Sequence, residues 1–121
     1  MVDRSALRSH SKVVRRTFTD AIKSTNPIDS KVYAKATNWV YEGTLGCTAS
    51  AKKKSLGLSK SDSLRDNMSS SDLVAVMFSE QMAAEAICST GLVQRDDVVR
   101  IGKITKAAKE RCLSNHKQEA S

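Results

Sequence analysis

Apolar residues recur along this chain at intervals of three and four, the spacing of one buried face on a helix. Leu7, Val14, Phe18, Ala21 and Ile22 make the first such stripe and predict a helix from about Arg4 to Ser24. Asn26-Pro27 ends it, because the residue before a proline avoids the helical region. Val32, Ala36, Trp39 and Val40 form the face of a second helix, with Tyr33 and Tyr41 beside it and Asp29 or Ser30 as its N-cap. Gly43 and Gly46 bracket its end, Gly46 as a left-handed stop. Thr48 is placed to cap a short third helix, from about Ala49 to Leu56, which Gly57 closes with Leu58 packing back over the turn. Leu64 and Met68, four apart, share the buried side of a further short turn. Ser69-Ser70-Ser71-Asp72 opens a long fourth helix striped by Leu73, Val76, Met77, Ala84, Ile87 and Cys88 and widened by Ala83 and Ala86. Glu80 and Glu85 fall outside that stripe in this reading, and Gly91 closes the helix. Asp96 or Asp97 starts the last helix, with Val98, Ile101, Ile104, Ala108 and Cys112 turned inward and Arg100, Lys103, Lys106 and Lys109 outward. The tail frays from about Asn115.

The pattern predicts an all-α fold: one domain over residues 1–121, a single compact bundle of about five helices. Composition agrees. The chain has 121 residues, enough for one core, and one proline and five glycines, too few turn signals for a sandwich or barrel. Aromatics are 4% of the residues, so aliphatic side chains and alanine must fill the interior.

Charge adds a direction. The net charge is +7. Met1 to Lys60 holds 12 Lys/Arg against 4 Asp/Glu, Ser61 to Asp97 holds 2 against 7, and Val98 to Ser121 holds 6 against 2. A basic body thus flanks an acidic middle. A basic face gains affinity for polyanions by releasing their condensed counterions. The same asymmetry allows a homodimer in which the acidic fourth helix of one copy meets the basic face of another.

Catalytic chemistry finds no constellation. The two histidines, His10 and His116, stand near opposite ends of the chain, and no paired carboxylates mark an acid–base site. A Cys–His dyad using Cys47 or Cys88 is the minor alternative. The three cysteines match neither a close ligand pair nor a disulfide framework, which fits a reducing compartment. No metal or cofactor is expected. No apolar run suggests a secretory leader or a membrane span, so the expected setting is the cytoplasm, with no membrane partner.

Lys53 to Leu64 has the outline of a helix-turn-helix, a short helix and a glycine turn at Leu56-Gly57-Leu58 before a second helix. Lys53 falls where a small residue normally packs, and Leu64 comes one residue late.

Three runs carry a resemblance. They are Lys12 to Lys23 (KVVRRTFTDAIK), Tyr33 to Ala49 (YAKATNWVYEGTLGCTA) and Leu64 to Leu73 (LRDNMSSSDL). Together they resemble a helical module of bacteriophage and prophage antirepressor-like proteins, the kind associated with Bro and KilA-N domains. The likeness spans roughly Lys12 to Ile87. Those proteins usually carry a separate DNA-binding domain in front, for which this chain has no room. The resemblance therefore implies an accessory module in a host bacterial cell, and it raises a protein partner as the second option.

The expectation is a small non-enzymatic regulatory protein that binds nucleic acid, DNA ahead of RNA, through a basic face. Arg15, Arg16, Lys52, Lys53, Lys54 and Lys60 are its candidate phosphate contacts, which position the protein without reading sequence. The alternative is a protein antagonist, an antirepressor or anti-defence factor that binds a DNA-binding protein.

Overall fold

The computed structural model describes residues 4–120, with side chains described for residues 5–112. It is all-α, a compact bundle of six helices among the described residues: α1 (Arg4–Ser24), α2 (Val32–Leu45), α3 (Ala49–Ser55), α4 (Leu64–Asn67), α5 (Ser70–Thr90) and α6 (Arg95–Ala120). The helix beyond the five expected is α4, the single turn at Leu64, where Leu64 and Met68 are both buried as the spacing predicts.

The α1 stripe packs on α5, and Leu7, Val14, Phe18, Ala21 and Ile22 are all buried. Phe18 and Ile22 meet Leu73 and Val76 of α5 and Val40 of α2 in one continuous core. Burying each such side chain contributes about 1.5–3 kcal/mol.

Local signals place most helix ends. Gly46 stops α2 at φ 78°, its N–H donating to the Glu42 carbonyl. Thr48 caps α3, its hydroxyl accepting from the Ala51 N–H at 3.2 Å. After α3, Gly57 turns left-handed while Leu58 N–H reaches the Lys53 carbonyl at 2.9 Å and Gly57 N–H the Lys54 carbonyl at 3.1 Å. That is the paired-bond stop in which a glycine lets the last carbonyls find partners. Ser69 caps α5 and Gly91 closes it at φ 72°. At α2 the start is later than expected. Asp29 does act, but its carboxylate accepts the Lys31 N–H at 2.9 Å in a preceding turn, and the helix begins at Val32. α6 runs on to Ala120, past Asn115, through a stretch without glycine or proline.

The helix-turn-helix outline does not form. α3 has seven residues and α4 four, and residues 56–63 separate them. One turn of helix is too short to lie in a major groove.

Two further readings are corrected. Gly43 is an interior residue of α2, buried against α6, and plays no part in ending the helix. A Cβ on Gly43 would lie 2.4 Å from the Val99 carbonyl oxygen, and one on Gly102 would lie 2.8 Å from the Gly43 Cα. The two helices touch backbone to backbone there, so both positions require glycine. Tyr41, expected beside the apolar face, is buried in the core, whereas Trp39 is only partly covered.

Candidate nucleic-acid interface

The candidate cations divide once their surroundings are traced. α3 is anchored to α2 where Asn38 Oδ1 accepts the Ala49 N–H at 3.2 Å. Its last turn carries Lys52, Lys53 and Lys54, where cations complement the negative end of the helix dipole. The Gly57 turn then folds the loop back alongside α3, and Lys53 Nζ donates to the Lys60 carbonyl at 3.0 Å. Within the loop, Ser59 N–H donates to the Asp62 carboxylate at 2.8 Å. That bond, with a second from the Ser59 side chain, holds the Asp62 carboxyl below its ordinary range. The product is a concavity of about 490 Å³ lined by Ser50, Lys53, Lys54, Leu58, Ser59 and Lys60. Three lysines and two serines therefore line one recess.

The other three candidates lie elsewhere. Lys52 turns toward α5, its Nζ 3.6 Å from Asp72 Oδ2, and Lys109 pairs with the same carboxylate. Burial pushes the Asp72 carboxyl up, but the Lys109 hydrogen bond and the charges of Lys109 and Lys52 outweigh it and hold it below the ordinary range. Arg15 points into the bundle, Nη1 3.1 Å from Glu80 Oε2, with its guanidinium 5.7 Å above the Phe18 ring. Arg16 is exposed on the outer side of α1, apart from the lysine recess. The six candidates therefore do not form one patch: Lys53, Lys54 and Lys60 line one recess, Lys52 and Arg15 are held in internal ion pairs, and Arg16 is exposed on α1 outside the recess.

Arg15 turns inward because Glu80 is buried. Glu80 was expected outside the α5 stripe, yet its side chain has no exposed surface. Arg65 of α4 grips it with two parallel bonds of 2.8 Å, from Nη1 to Oε1 and from Nη2 to Oε2, and also donates to Ser11 Oγ at 3.1 Å. Burial pushes the Arg65 guanidinium down, while the Glu80 bonds and charge, with Tyr41 alongside, raise it on balance. A buried carboxylate is tolerated only with such partners. The signal was present in the sequence. Glu80 lies four residues after Val76 and three before Ala83, inside the stripe, and reading it outward followed from its residue type alone.

The carboxylates of the acidic middle are largely committed within the fold. Asp66 pairs with Arg8, Asp72 with Lys52 and Lys109, and Glu80 with Arg65 and Arg15. Of the α5 acids, only Glu85 faces outward without an ion pair among the described residues. Two of the three acids on α5 are thus paired within the fold.

The last helix also departs from its expected facing. Ile104, Ala108 and Cys112, expected inside, are exposed. Ala108 and Cys112 line a groove with Val74 and Phe78 of α5, which are 46% and 58% exposed. Sequence spacing groups apolar residues but does not say whether the chain itself covers them.

Catalytic or metal-binding arrangements gain little from the geometry. Among the described residues no group of three His, Cys, Asp or Glu side chains could hold a metal ion. His10 is exposed near the start of α1, and His116 lies outside the described side chains. Cys88 shares a groove with Asp20 and Ser24, which is ten or more residues along α1 from His10, or about 15 Å at the helical rise. Among the described residues, no helix is long and apolar enough to cross a membrane.

Compared with known proteins, the chain matches no family model, no curated protein and no solved structure.

Proposed function

We propose that this is a small non-enzymatic regulatory protein of phage type that holds nucleic acid, DNA ahead of RNA, through the basic end formed by α3 and the loop after it. The observation that carries this reading is the recess where Lys53, Lys54 and Lys60 converge. Ammonium groups around a concavity with hydroxyls beside them suit phosphate oxygens, and contacts of this kind position a duplex without reading bases. Two further features support it. The net charge is +7, and Asp66, Asp72 and Glu80 have their charge met by cations within the fold. The resemblance to phage antirepressor-like modules sets the regulatory context.

The test is fluorescence polarisation with a labelled duplex and a matching single-stranded RNA at low salt. The reading expects binding to both, duplex ahead, lost in K53A/K54A/K60A and retained when Lys52 is replaced by alanine. Absence of binding at low salt overturns it.

A further inference from the structure

The described residues include eight exposed large apolar side chains, and five of them belong to the outer side of α5, α6 and their connection: Val74, Phe78, Met82, Leu92 and Ile104. Two of them, Val74 and Phe78, line one groove with α6. Val74, Phe78 and Met82 are spaced at i, i+4 and i+8, so they form one ridge along α5. Between that ridge and α6 runs a groove of about 600 Å³, whose floor and walls include Ala75, Thr105, Ala108 and Cys112. A contiguous uncovered apolar face marks an interaction site.

We infer that this face binds a second copy of the same chain, forming a two-fold dimer in which two α5–α6 pairs stack. Size and charge both favour that occupant. α5 has 21 residues. At 1.5 Å per residue and 10–12 Å per helix, a pair of helices offers a face of about 30 by 20 Å. Two such faces bury about 1,200 Å² in total, the lower bound for a specific interface.

Charge selects the orientation. Beyond Ile104, the outer edge of α6 is basic, with Lys103 and Arg111 exposed and Arg100 exposed but 3.5 Å from Asp97 Oδ1. About two turns beyond Phe78 on the same side of α5 is Glu85, which shares a groove with Asp20 of α1. Arg16 lies further round α1. A two-fold axis perpendicular to the helices would stack α6 on α6, basic edge on basic edge. An axis parallel to the helices stacks α6 of each copy on α5 of the other, antiparallel, and sets Arg100, Lys103 and Arg111 against the partner's Glu85 edge. It also brings Phe78 of one copy over the partner's Ile104. Cys112, an exposed residue lining the groove, then lies close to the axis and faces its own symmetry mate. Cys88, on the α1 side of α5, lies away from the axis.

Light scattering on the purified chain at 100 μM is expected to give the mass of a dimer. Phe78→Glu and Ile104→Glu should each give a monomer with unchanged helical circular dichroism, while Ile28→Glu, at an exposed apolar residue outside the face, should remain dimeric. A short bis-maleimide should cross-link the wild type and C88S but not C112S. A monomeric wild type overturns the inference, and so does a dimer that persists in both face variants. A dimer cross-linked through Cys88 but not Cys112 overturns the proposed axis.

Discussion

Glu80 shows how one side chain constrains several helices. It joins α5 to α4 through Arg65 and to α1 through Arg15, with its own side chain fully buried. Removing one partner of a buried ion pair leaves the other uncompensated and costs about 3–5 kcal/mol, a large share of a typical domain's stability. Glu80→Ala is therefore expected to lower the urea midpoint sharply, with the m-value unchanged. The double variant Arg65→Met/Glu80→Leu should be more stable than Glu80→Ala alone, because apolar side chains need no counter-charge. A double variant as unstable as the single one would mean that the pair does more than balance its own burial. Arg15 was legible as a cation on a helix face but not as an inward one, because its direction is set by a carboxylate 65 positions away.

Asp72 adds a pH dependence at the same scale. Its carboxyl is held below the ordinary carboxylate value, so it contributes stability that is fully present above the unfolded pKa of about 3.9. That contribution is lost as the pH falls through the lower folded value. Asp72→Asn should flatten the acid limb of a stability–pH curve below about pH 4 and leave the neutral-to-basic limb unchanged in shape. An acid limb identical to wild type would contradict the assignment.

Among the elements, the contact between α2 and α6 depends on two hydrogens. Gly→Ala inside a helix ordinarily stabilises by about 1 kcal/mol. At Gly43 the added carbon would meet the Val99 carbonyl at 2.4 Å, and backbone cannot turn aside as a side chain can. Overpacking of that kind costs about 1–3 kcal/mol or more. Gly43→Ala and Gly102→Ala are each expected to lower Tm, by about 3–6 °C for each kcal/mol lost at this chain length. A rise in Tm would show that the helices separate freely. Helix positions were largely legible from the sequence, since caps such as Thr48 and Ser69 and stops such as Gly46, Gly57 and Gly91 act locally. The glycine pair was not, because Gly43 sits near a helix end and its partner is 59 positions on. The helix-turn-helix outline failed for a related reason. Leu56-Gly57-Leu58 ends α3 as its local chemistry requires, but the chain from Ser59 to Ser63 binds to itself through Ser59, Ser61 and Asp62 before α4 begins.

For the molecule as a whole, the all-α bundle followed from periodicity because its core stripes are long and regular. The site was only partly legible. Net charge and the Lys52-Lys53-Lys54 run pointed to α3, but which lysines remain available depends on where Asp72 lies, and that is a property of the packed fold. The same holds for Ile104, Ala108 and Cys112, whose apolar character was read correctly and whose exposure needed the arrangement of α5 and α6. The proposed function and the proposed dimer use different surfaces, so Phe78→Glu should weaken duplex binding only through lost avidity, and K53A/K54A/K60A should leave the dimer intact.

The salt dependence of duplex binding tests the central claim most directly. For a duplex, log K falls with log salt with a slope of about 0.9 per phosphate contact. Polarisation titrations across a series of salt concentrations should give the wild type a steep slope and K53A/K54A/K60A a slope shallower by about 2–3, with little change for Lys52→Ala. Equal slopes for wild type and the triple variant would contradict the account, since the lysines around the recess would then touch no phosphate.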